Sequence, residues 1–138
     1  MTTFGRVASI VAIAICLAAC SGAKAEEEHD TCVLLEADVE AMYYNYIRGD
    51  YAAYVSLMES LDDKPEGYRK QMVDLMKQRH RQQEVDHNGG PMACHVKDLK
   101  IDHTGQYCEA YIVVNFKDST EEEILLPLVL KDEKWRLK

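Results

Sequence analysis

Three stretches of helical spacing are followed by three or four of alternating spacing. From Cys32, apolar residues recur at steps of three and four (Leu35, Val39, Met42, Tyr43, Tyr46), the signature of one buried helix face. Gly49 is a natural C-terminal stop, and Asp50 can cap a second helix with Tyr54, Leu57, Met58 and Leu61 on one side. Asp62-Asp63-Lys64-Pro65 punctuates, with Asp63 as the expected cap. A third stripe of Tyr68, Met72, Leu75, Met76 and Arg79 then runs to about Glu84. At Asn88-Gly89-Gly90-Pro91 the period drops from 3.6 to two, and β-branched and aromatic residues take over. Strands are predicted over Cys94–Asp102, Tyr107–Phe116 and Glu122–Leu130, with a short last one around Trp135 and Leu137. Helices followed by an antiparallel meander imply an α+β domain, three helices on one face of a curved sheet of about four strands.

Charge fixes the expected register of the first hairpin. Pairing residues 102 and 107 gathers Leu99, Ile101, Cys108, Ala110, Ile112, Val114 and Phe116 on one face. It sets Lys100 opposite Glu109, Asp98 opposite Tyr111 and Val96 opposite Val113 on the other. One apolar and one mixed face is what one-sided burial requires. Pro127 lacks an N–H for the ladder, so it marks an edge or a bulge.

The chain has 138 residues, with 16 Lys+Arg against 24 Asp+Glu. One domain is the natural count, and a net charge of −8 without a basic cluster excludes a nucleic-acid footprint. The first 31 residues read differently from the rest. Arg6 precedes 13 small or apolar residues, Val7–Ala19, too few to span a bilayer and right for the hydrophobic part of a secretory signal. Leu17-Ala18-Ala19-Cys20-Ser21 resembles the bacterial lipobox, in which the cysteine is lipidated and becomes residue one. The resemblance implies a signal peptide over 1–19, acyl chains on Cys20 and attachment to the membrane of a bacterial cell envelope, the outer membrane being the expected one. Residues 20–31 would then form the lipidated cysteine and a polar tether, in which the stretch from Ser21 to Asp30 reaches at most roughly 33 Å. Residues 32–138 remain as the single domain.

The junction Ile47-Arg48-Gly49-Asp50-Tyr51 and the closing Asp132-Glu133-Lys134-Trp135-Arg136-Leu137 look like the nuclear transport factor two-like, cystatin-like superfamily. The chain is similar in particular to its small bacterial lipoproteins without assigned function. The resemblance implies a sheet curved around a long helix, with a cone-shaped cavity. Some members are isomerases, dehydratases or cyclases, and many only bind ligands or partners, so function must be argued from the site.

In that fold Tyr43 and Tyr46 could present hydroxyls to a ligand, with Ile112, Val114 and Phe116 as the apolar wall. The same tyrosines serve equally as core with a hydrogen-bonded tip. Superfamily enzymes place an acid–base pair inside the cone. Here Asp38 and Glu40 fall off the apolar stripe, and Asp98 and Asp102 point outward. The expectation is therefore a non-catalytic protein, without cofactor or metal, that binds a small apolar ligand or an envelope protein. The alternatives are a partner-binding subunit whose cone is filled by Tyr43, Phe116 and Trp135, and an isomerase-like enzyme.

Cysteines and histidines form two further constellations. Cys94 and Cys108 lie roughly 23 Å apart in the hairpin register and cannot pair. Any disulfide must use Cys32, with Cys94 or Cys108. Cys32 and Cys94 both lie at element ends, where the backbone can adjust, which favours that pair; unpaired thiols are equally compatible. His80, Glu84 and His87 have i, i+4, i+7 spacing suited to a transition metal. Asn88-Gly89-Gly90 frays that end, however, and a solvated helix terminus is the expectation.

Overall fold

The computed structural model describes residues 33–138. The predicted signal, Cys20, the tether and Cys32 lie outside the described residues. The helices are α1 (Glu36–Ile47), α2 (Tyr51–Ser56) and α3 (Glu66–Asp86), with a 3-10 turn at Glu59–Leu61. The strands are β1 (Pro91–Ile101), β2 (Tyr107–Phe116), β3 (Glu121–Lys131) and β4 (Lys134–Leu137), paired antiparallel in sequence order. Helices first, then a four-stranded meander: this is the expected α+β architecture.

Local chemistry sets the helix ends. The Asp38 carboxylate accepts the Leu35 N–H at 3.2 Å, so α1 starts at Glu36 rather than near Cys32. Leu35 is left exposed, and Leu34 takes the core position instead. Gly49, at φ +83°, ends α1 in a conformation that favours glycine, and the Asp50 carboxylate caps α2 through the Ala53 N–H at 3.2 Å. Helix α2 is shorter than its apolar stripe. Beyond Ser56 the chain is drawn alongside β4, where Leu57 O accepts the Leu137 N–H at 2.9 Å and Met58 bridges Leu137 in parallel. Helix α3 begins on Pro65 without a side-chain cap, so Asp63 does not serve, and it runs on to Asp86.

The hairpin register holds from Ile101↔Cys108 to Asp98↔Tyr111, with Lys100 opposite Glu109. Between Val96 and Asp98 it shifts by one residue, and Val96 faces Ile112 rather than Val113. A bulge reverses side-chain parity along the strand. Cys94 and Val96 consequently turn inward and are buried, whereas a straight strand would have put them outside. Pro127 O accepts the N–H of Lys138 at 3.0 Å, so the imino nitrogen faces the β4 edge, where a missing donor costs little.

The core joins Val39, Tyr43, Tyr46 and Tyr54 of the helices to the inner face of the sheet, chiefly Ala110, Ile112, Val114, Phe116, Leu126 and Leu128. Helix α1 also seals the outer edge of β1. The Glu40 carboxylate accepts the Val96 N–H at 2.9 Å, and the Tyr44 hydroxyl accepts that of Cys94 at 3.4 Å.

Candidate functional site

The five residues expected to line a ligand cavity are core. Tyr43, Tyr46, Ile112, Val114 and Phe116 are each 3% exposed or less. A void beside them wide enough for water would appear as accessible surface on their side chains, and they carry almost none. Their rings and branched chains occupy the space a ligand would need. Tyr43 and Tyr46 pack at 5.4 Å between ring centres, and Tyr54 meets Tyr43 edge-on at 6.1 Å. The Tyr46 hydroxyl is spent on Gln83 Oε1 at 2.5 Å. Burial pushes both phenols well above their usual range, so neither ionises as a base. The filled cone is the geometry here, with Trp135 packed against the same core.

Cys94 and Cys108 are buried thiols, and Cys32, the expected partner of Cys94, lies outside the described residues. The Cys94 sulfur lies 3.9 Å from Glu40 O of α1. Burial and the nearby Glu40 push the Cys94 thiol up to about 12, and burial raises that of Cys108 as well. Neither is a nucleophile at neutral pH.

The row of His80, Glu84 and His87 divides. His80 is the one buried residue of α3, and its Nδ1 lies 2.7 Å from the Tyr51 hydroxyl. Its ring stacks on Tyr46 at 5.1 Å and meets Tyr51 edge-on at 5.6 Å. Nε2 is 3.8 Å from the Glu84 carboxylate, beyond hydrogen-bond distance. Burial is the main cause that lowers the imidazole pKa, so a neutral ring is favoured. His87 turns away as the C-cap of α3. It stacks on Phe116 at 3.7 Å, with Nδ1 3.1 Å from the Thr120 hydroxyl and 3.5 Å from the Asp118 carboxylate. Gly90 makes the tight return: a Cβ there would lie 2.8 Å from Glu84 Cγ. Among the described residues no group of three or more His, Cys, Asp or Glu is placed to hold a metal. Sequence spacing found His80 but gave it to solvent. The clue missed was its i+4 and i+7 relation to the half-buried Met76 and Val73.

Open space lies elsewhere, in a groove of about 660 Å³ between α2 and the start of α3. Its floor is Ala52, Val55 and Val73, and its rim carries Glu66, Arg69 and Lys70. The Arg69 guanidinium is fixed by Leu61 O at 3.1 Å and Asp62 O at 2.8 Å. Beside it Gly67 leaves a gap, since a Cβ added there meets nothing within 4 Å. Nothing in the sequence marked this groove, because it joins the outer flank of a short helix to the first turns of another.

A solved structure is similar to this chain in fold. It is a provisionally named NTF2-like transpeptidase of Campylobacter jejuni, with a TM-score of 0.54 and 16% identity, over 74% of this chain and 94% of that one. The fold is NTF2-like. No protein-family model matches the chain, and no curated protein matches it. In this NTF2-like domain the residues expected to line the cone pack against one another, and an accessible groove lies on the helix side.

Proposed function

We propose that the protein is a lipid-anchored component of the bacterial envelope that acts without catalysis, binding a segment of a partner protein in the α2–α3 groove. The single observation that carries the choice of protein partner over small apolar ligand is the packed interior, in which Ile112, Val114 and Phe116 are at most 1% exposed. The groove suits a peptide: an apolar floor gives contact area, and Lys70, Glu66 and the fixed Arg69 give direction. The anchor and the tether rest on the sequence around Cys20 and on the polar stretch to Asp30.

Two enzymatic readings fit less well. The relative's name speaks of acyl transfer, which calls for an ionisable nucleophile beside a base. The two described thiols are buried and raised, Cys94 to about 12. An isomerase needs an acid–base pair at a substrate. The imidazole that comes nearest, His80, is enclosed by Tyr46 and Tyr51.

Labelled palmitate fed to cells making the full chain should appear on the protein and vanish with Cys20→Ser; retention of label would place the lipid elsewhere. A photocrosslinker at Lys70 should capture a discrete envelope protein. Gly67→Trp, whose added Cβ meets nothing within 4 Å, should abolish capture while the thermal melt stays put or rises, since glycine is a poorer helix former than tryptophan. Unchanged capture by that variant would refute the groove.

A further inference from the structure

The two margins of the sheet are finished differently. Helix α1 closes the outer side of β1 through Glu40 and Tyr44, whereas β3 outruns its neighbour β4, eleven residues against four. Parity decides which backbone groups this leaves over. At the two ends of the β2–β3 ladder, Phe116 N–H donates to Thr120 O at 2.9 Å and Leu130 N–H to Gln106 O at 2.8 Å. Even-numbered residues of β3 therefore turn their amides toward β2, and odd-numbered ones turn them away. On that far side Pro127 O accepts the Lys138 N–H at 3.0 Å, just past the last β4 pair, Leu128↔Leu137. The N–H and carbonyl groups of Glu121, Glu123 and Leu125 are thus aimed along a margin that no described strand occupies. All three residues are exposed. Such a row can pair with an extended chain.

Neighbouring side chains say which chain fits. A strand laid in line with β4, antiparallel to β3, meets Leu126, Leu125 and Ile124 first and then Glu123, Glu122 and Glu121. Ile124 and Leu126 belong to the same core as Trp135 and Leu137 of β4, so apolar side chains beside them would continue that packing. Across this end of the margin, Lys100, Glu109, Pro127 and Lys138 stand in one row, with no excess of acid. The other end differs. Lys97 neutralises Glu123 at 2.9 Å, and in the adjoining turn Asp118 is set against Lys117. Glu121 is met by the uncharged Asn115 amide at 3.4 Å, and Glu122 lies 4.0 Å from His87 Nε2. The excess charge there is that of Glu121 and Glu122.

We propose that β3 accepts, as an added strand, an extended segment of another protein: three apolar residues, one polar residue, then two basic ones. A second copy would bring the same glutamates to the seam, and the chain's own stretch from Ser21 to Asp30 would bring Glu26, Glu27 and Glu28, so like charge disfavours both. Backbone bonds give such a segment its affinity, and the side chains give the choice of partner. The margin shares no residue with the α2–α3 groove, so Gly67→Trp should leave it untouched and the two sites fail or stand separately.

The probe is a fluorescein-labelled peptide, Val-Tyr-Ile-Thr-Lys-Arg, titrated into the full chain in detergent and followed by anisotropy. Saturable binding is expected, and replacing the last two residues by glutamates should weaken it about tenfold. N-methylation of the peptide's Tyr and Thr amides, which would face β3, should abolish binding, whereas methylation of its Ile and Lys amides, which would face water, should not. Leu125→Pro removes one donor from the margin and none from the β2 ladder, and should also cost about tenfold. Should that variant fail to fold, the methylated peptides still decide. Indifference to where the methyl groups sit overturns the proposal, as does equal affinity for the acidic peptide or no binding at about 1 mM. Slow hydrogen exchange at the Glu121, Glu123 and Leu125 amides before any peptide is added overturns it too, because a second copy or the chain's own N-terminal stretch would then already hold the edge.

Discussion

Helices α1 and α3 carry similar apolar spacing, yet the protein uses them in opposite ways. The 12 residues of α1 bury Val39, Tyr43 and Tyr46 against the sheet. The 21 residues of α3 bury His80 alone, and leave Tyr68 and Leu75 of the predicted stripe about half exposed. One seat is chiefly dispersion and excluded water, which are indifferent to direction and to pH, with the Glu40 and Tyr44 bonds to β1 at its margin. The other relies mostly on polar and ring contacts, the Tyr51–His80 and Tyr46–Gln83 hydrogen bonds and the two ring contacts of His80, which are directional. Helix length therefore says little about how firmly a helix is held, and the apolar area it covers says more.

The largest test of that contrast is in the shared core. Phe116→Ala should cost about 3–5 kcal/mol in denaturant unfolding, because it opens a cavity beneath α1 and removes the ring on which His87 stacks. Tyr51→Phe should cost about 1 kcal/mol, the worth of one hydrogen bond. Hydrogen exchange should show the loss in α3 amides and not in α1; equal losses in both would mean that the two seats are one cooperative unit.

Acid provides a gentler probe. The folded pKa of His80 lies below the unfolded value of 6.5, so the unfolded chain binds the proton more readily. Stability from this residue is complete above about pH 6.5 and declines as pH falls from there to the folded pKa. His80→Gln should flatten that part of the pH profile, and a slope that survives the substitution would assign it to other groups. Smallest of all, Leu75→Ala should shift unfolding by less than about 0.5 kcal/mol, since its side chain is already 51% exposed. A cost of several kcal/mol there would contradict the open flank of α3.

Much of this architecture is legible in the order of the residues alone. Gly49 and Asp50 announce the break between α1 and α2, and the charge pairing of Lys100 with Glu109 marks the far half of the β1–β2 register. The near half is hidden, because a bulge costs one residue and leaves no compositional mark. His95, Val96 and Lys97 alternate as well in one parity as in the other. The stripe of α3 misleads for a related reason. Periodicity shows that a helix has two sides but not which side a neighbour will claim, and the neighbours claim the side with Val73, Met76 and His80. Of the candidate site, the aromatic and aliphatic wall can be found from spacing, and its role cannot. Nothing in a list of large side chains reveals whether they surround space or fill it.

The two side chains with which α1 covers the rim of β1 have a consequence beyond packing. An uncovered strand of eleven residues is a template on which a stray extended chain can add, and then another on that. By engaging the amides of Cys94 and Val96, Tyr44 and Glu40 deny the first newcomer its anchoring bonds. Fibre growth would be stopped at its seeding event. The contact that steadies the fold thus also keeps the molecule from polymerising along its own margin.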